Sequence, residues 1–175
     1  MKGVGVSGFD CAACGKHHDT LPMAFGPIAP LPWERIPKAK REASGKLDQE
    51  WCVIGNENFF IRGNLELPLR DGDGLGPFTW IVWVSLSWDH FDRTRKMWND
   101  AERVKEPPYF GWLCTDLPGY SKTTLVLKTS VITREVGLRP KIEVQPCDHQ
   151  LAFEQRDGIS MARVRQLAEI ALHPA

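Results

Sequence analysis

The chain has 175 residues and carries 22 Lys+Arg against 22 Asp+Glu, a formal net charge of zero; a chain of this length buries a core without disulfide staples. Balanced charge gives no long-range field toward nucleic acid or an anionic membrane, and no apolar run approaches the roughly 18 residues of a membrane span. The opening MKGVGVSGFD lacks the apolar run of an export signal and the five cysteines are odd in number, so a cytoplasmic protein is expected, with reduced or metal-bound thiols rather than a disulfide framework.

In chain order, residues 1–49 read as an irregular arm, because Pro22, Pro27, Pro30, Pro32 and Pro37 deny it a long helix or a central strand. A short helix from Pro37 to Glu42 is its one regular expectation, and KAKRE its solvated face. From Trp51 the pattern turns to strands. In NFFIRGNLELPL, Phe59, Ile61, Leu65, Leu67 and Leu69 alternate with Phe60, Arg62, Asn64, Glu66 and Pro68, the period of two that marks a half-buried strand. Gly63 sits among them as a bulge or a close backbone approach. DGDGLGP is a turn, and FTWIVWVSL is a nearly continuous apolar strand suited to the centre of a sheet. The two predict an antiparallel hairpin.

Ser87 is placed to cap a helix over Trp88–Asn99, and Pro107-Pro108 closes off the segment beyond that helix. TTLVLKTSVIT and RPKIEVQP predict a second hairpin around REVGLR. Ser160 caps the clearest helix, with Ile159 and Val164 as its hydrophobic staple and Val164, Leu167, Ala168 and Ala171 as its apolar stripe, ending before His173-Pro174. The expectation is one α+β domain over residues 1–175: a mostly antiparallel sheet of four or five strands, two main helices and a proline-rich N-terminal arm carrying a CxxC knuckle, the core spanning 51–175.

The stretch DCAACGKHHD carries the strongest chemistry. Two cysteines at i and i+3 can place both sulfurs on one zinc, and a following glycine frees the backbone to turn. A redox CxxC belongs at the start of a helix after a buried strand; glycines on both sides of this one disfavour that role. Structural zinc takes four ligands. Cys11, Cys14 and one of His17 or His18 supply three, leaving Cys52, Cys114, Cys147, His149 and His173 as sources of the fourth.

The segments C-x-x-C-G-x-x-H, LPMAFG, CVI, FFIRG, LELPL, WIVWVSLS, YFGWLCTDLPGY, LRPKIEV, DHQLAFEQRDGIS and LHP, in that order and spacing, resemble the bacterial domain-of-unknown-function family 2199 over essentially the whole chain. The resemblance places the family pattern on Cys11, Cys14, Gly15, His18, Cys52, Arg62, Gly63, Gly111, Trp112, Asp148, His149, Glu154 and Gln155. It favours His18 over His17, and it discounts Cys147, which stands where the family often has threonine. It implies little about activity, the family being uncharacterised.

His149 follows a strand inside an ionisable cluster and is the expected fourth ligand beside Cys11, Cys14 and His18, with Cys52, Cys114 and His173 as alternatives; its other readings are a general base or a residue capping the next turn. Arg62, on the polar side of an apolar strand, and Trp112 are the binding candidates, Arg62 as a clamp for carboxylate or phosphate or in a salt bridge to Glu66, Glu143 or Asp148. Seven tryptophans suit core anchors or a ligand- or protein-binding surface. The leading expectation is a zinc-knuckle binding or interaction module holding structural zinc, with a protein partner and neither nucleic acid nor membrane. A metal-dependent hydrolase with three protein ligands and a water, with His149 or Asp148 as base, is the second reading, and a toxin-immunity-type inhibitor the third.

Overall fold

The computed structural model describes residues 6–174; the first five residues of MKGVGVSGFD, the stretch expected to lack an export signal, lie outside them. The strands are β1 (Val6–Asp10), β2 (His17–Leu21), β3 (Ala24–Phe25), β4 (Gly45–Leu47), β5 (Trp51–Ile54), β6 (Asn58–Leu67), β7 (Phe78–Leu86), β8 (Tyr109–Leu113), β9 (Lys128–Ile132) and β10 (Lys141–Val144). The helices are α1 (Leu31–Glu34), α2 (Arg41–Ser44), α3 (Trp88–Lys96), α4 (Gln150–Asp157) and α5 (Met161–Leu172), with 3-10 turns at Lys38–Lys40 and Ala101–Lys105.

This corrects the expected four- or five-stranded sheet with two main helices. Among the described residues, eight strands share one sheet in the order β3-β7-β8-β9-β10-β6-β5-β4, and because β7 also pairs with β6, five of them close into a barrel. Closure depends on β10 meeting β6 in parallel at Lys141 and Asn64, where the Asn64 amide donates to the Pro140 carbonyl at 2.9 Å. Gly63 allows this approach. A Cβ there would lie 2.6 Å from the Ile142 side chain and 3.0 Å from the Pro140 carbonyl, so the glycine is a close contact rather than a bulge. Beyond that pair the two strands separate, and Gln155 of α4 takes over: its Nε2 donates to the Ile142 carbonyl at 2.8 Å and its Oε1 accepts from the Val144 amide at 2.8 Å. Buried backbone groups at the seam thus keep their partners.

The long hairpin runs as expected, β6 pairing antiparallel with β7 from Phe59–Leu86 to Leu67–Phe78. Ile61, Leu65 and Leu67 of β6 and Phe78, Trp80, Val82 and Val84 of β7 are buried in the main core with Leu113, Val131 and Ile142, and Leu151, Val164 and Leu167 of α4 and α5 pack in the same cluster. Each such side chain contributes about 1.5–3 kcal/mol by leaving water. The opposite face of β6–β7 is also covered. Phe60, Trp83 and Cys52 form a second cluster with Ala29 and Trp33 of the arm, which explains why β7 reads as apolar throughout rather than alternating.

The second hairpin, β9–β10, and the caps of α3 and α5 also follow the sequence: Ser87 Oγ accepts from the His90 amide at 3.3 Å and Ser160 Oγ from the Arg163 amide at 3.2 Å. The arm is more regular than its prolines imply. It contains the β1–β2 hairpin, β3 laid parallel on β7, and α1 with Pro32 in its first turn, where a missing N–H costs nothing.

Candidate metal centre

The knuckle is the tip of the β1–β2 hairpin. Its turn is closed by the Cys11 amide donating to the Lys16 carbonyl at 3.0 Å and the Gly15 amide to the Cys11 carbonyl at 2.9 Å. Gly15 sits at φ +67°, the left-handed conformation its sequence position called for. Strand alternation then separates the two histidines. His17 turns outward to Asp10, with Nδ1 2.8 Å from the carboxylate, whereas His18 faces inward, its ring stacked on Phe9 at 5.1 Å and 14°.

The fourth donor comes from the other end of the chain. His173 is the C-cap of α5, its amide donating to the Glu169 carbonyl at 3.1 Å, and its ring lies 5.9 Å from that of His18. One donor atom from each of Cys11, Cys14, His18 and His173 lies within 4.8 Å of the other three. Cys14 Sγ is 3.4 Å from His18 Nε2. In a tetrahedral zinc site with Zn–S of about 2.3 Å and Zn–N of about 2.0 Å, an S···N edge is about 3.5 Å, so the Cys14–His18 edge already has the length zinc requires. Cys11 is buried, Cys14 and His18 are half-buried, and His173 is exposed.

The structure places the remaining candidates elsewhere. His149, the expected fourth ligand, is outside this group. It caps α4, Nδ1 accepting from the Leu151 amide at 3.1 Å, while Nε2 lies 3.3 Å from the Lys122 carbonyl. Both ring nitrogens are therefore committed to backbone, as in the capping alternative. Cys52 lies under the arm, where burial pushes its thiol up to about 12. Cys114 faces the Trp112 carbonyl at 3.3 Å, and Cys147 is an exposed thiol.

Among the described residues, Arg62 takes no carboxylate in a direct ion pair. Its Nη2 donates to the Pro27 carbonyl at 3.0 Å and its guanidinium lies 5.7 Å from the Trp83 ring. It straps the arm onto the barrel, and desolvation lowers its pKa. The three expected acids are engaged by Arg134, Lys141 and Lys122 instead. Trp112 points outward from β8, 40% exposed, edge-on to Phe110 at 5.1 Å. Glu154, a residue of the family pattern, accepts from Tyr120 Oη and Arg163 Nε, both at 2.8 Å, tying the loop before β9 to α4 and α5.

A closed five-stranded barrel carrying a Cys2His2 donor group is the class that fold and site define together. Residues 10–159 match the family model described as "Uncharacterized protein conserved in bacteria (DUF2199)", and the chain belongs to that family. The matched span contains Cys11, Cys14 and His18 and ends before His173. No curated protein and no solved structure matches the chain.

Proposed function

We propose that the protein is a cytoplasmic binding module in which Cys11, Cys14, His18 and His173 hold one structural zinc ion, fastening the N-terminal hairpin to the end of α5. The observation that carries this reading is the count of four protein donors around one point. Two thiolates and two imidazoles suit zinc, and four protein ligands leave no open position for the activated water that a hydrolase needs. The proposed partner is a protein, and the surface offered to it is the outer face of β8. There Phe110 and Trp112 are exposed beside a groove of about 750 Å³ lined by Trp112, Val126, Cys114 and Phe60; exposed aromatics of this kind anchor protein interfaces.

Cobalt(II) substitution tests the centre. Intense visible d–d bands with thiolate charge-transfer absorption, lost in His173→Ala, are the expected signature of four-coordinate S2N2 ligation. A weak six-coordinate spectrum indifferent to His173 contradicts it.

A further inference from the structure

The hairpin meets α5 at a second point besides the donor group. The Ala12 amide, between the two cysteines, donates to the Glu169 carboxylate at 2.8 Å. Glu169 lies four residues before His173 and therefore one turn back on the same face of α5. Its own carbonyl accepts the His173 amide at 3.1 Å, so one residue fixes both the backbone of the histidine ligand and the loop that presents the cysteines. None of these bonds involves a metal.

We infer that Glu169 is a positioning residue for the metal centre: by holding the Ala12 N–H it sets the CxxC loop against α5, so that His173 meets the three hairpin donors before the ion arrives. The inference rests on the zinc reading above. Partners of this kind restrict the geometries a ligand set can sample, and removing one costs roughly 10- to 100-fold in metal affinity. Glutamine keeps an acceptor oxygen at the same reach; alanine removes it.

The test is zinc affinity of the full chain by competition with a chromophoric chelator, for wild type, Glu169→Gln and Glu169→Ala, with amide exchange at Ala12 followed in the metal-free proteins. The expected result is a 10- to 100-fold weaker affinity in Glu169→Ala, near-wild-type affinity in Glu169→Gln, and slow Ala12 exchange that only the alanine variant loses. A wild type that binds zinc no more tightly than Glu169→Ala overturns the positioning role and leaves the zinc site standing. Equal losses in both variants overturn the hydrogen bond as its basis. A wild type that binds no zinc overturns the zinc reading and this inference together.

Discussion

The barrel and the knuckle hairpin are built on opposite principles. Most residues of β6 and β7 are buried, on the barrel side by the main core and on the other by the arm, so these strands are specified by apolar area. The hairpin buries Phe9, Cys11 and Leu21 and leaves most of β2 in water. Such a two-stranded unit is marginal in isolation. Its polar ties to α5 are the Glu169 bond and the donor group. The barrel should therefore be indifferent to metal, whereas the hairpin and the end of α5, held together without it by the Glu169 bond, should gain most from binding it.

The largest effect expected is on the barrel side. Trp80→Ala empties a fully buried position inside the main core and should cost about 3–5 kcal/mol, read as a fall in the denaturant midpoint; a loss under about 1 kcal/mol would mean that β7 is not the centre of the core.

Next, the two histidines separate the regions. His149→Ala removes a buried cap and should cost about 1–2 kcal/mol while leaving zinc affinity unchanged. His173→Ala, at an exposed helix end, should weaken zinc binding by orders of magnitude and leave the metal-free protein as stable as wild type. Chelator competition and chemical denaturation on both variants would show whether the roles are reversed.

A smaller gain is available at Val126, a β-branched residue at φ +55° on the exposed groove. Glycine accepts that conformation without steric penalty, and Val126→Gly should stabilise by about 1 kcal/mol; a destabilised variant would show that the Val126 side chain contributes more than its backbone costs.

The smallest effect is electrostatic. Hydrogen bonds from Arg93 and then Tyr109 hold the Glu106 carboxyl down to about 2 from an ordinary 4.5. A carboxyl depressed in the folded state contributes stability that is complete above its unfolded value and is lost as pH falls through the folded one. Wild type should therefore lose more stability than Glu106→Gln between about pH 5 and about 2, a difference that acid titration of the thermal midpoint would reveal or exclude.

Legibility in the sequence divides along the same line. The period of two that begins at Phe59, the Ser160 cap and the hairpin around REVGLR are local patterns; the cap and the hairpin appear where their residues placed them, and the strand runs from Asn58 to Leu67, two residues short of Leu69. The strand Tyr109–Leu113 is only five residues long and directly follows Pro107-Pro108, which reads as a terminator. Barrel closure turned on Gly63, whose meaning depends on a strand almost eighty positions later. The β1–β2 hairpin hid behind a six-residue turn and the polar run HHDTL, which has no apolar alternation to signal a strand. Three of the four donors lay in one legible motif. The fourth required knowing that α5 ends beside that motif, while His149, in a richer ionisable neighbourhood, was bound to its own helix.

The most direct measurement is metal content by mass spectrometry on untagged protein purified without added metal, beside the Cys11→Ser, Cys14→Ser double variant. Near-stoichiometric zinc in the wild type and none in a variant that keeps its barrel is the expected result. A well-folded wild type without metal, unable to take up zinc under reducing conditions, would contradict the zinc centre and leave the attachment of the hairpin to its buried side chains and the Glu169 bond.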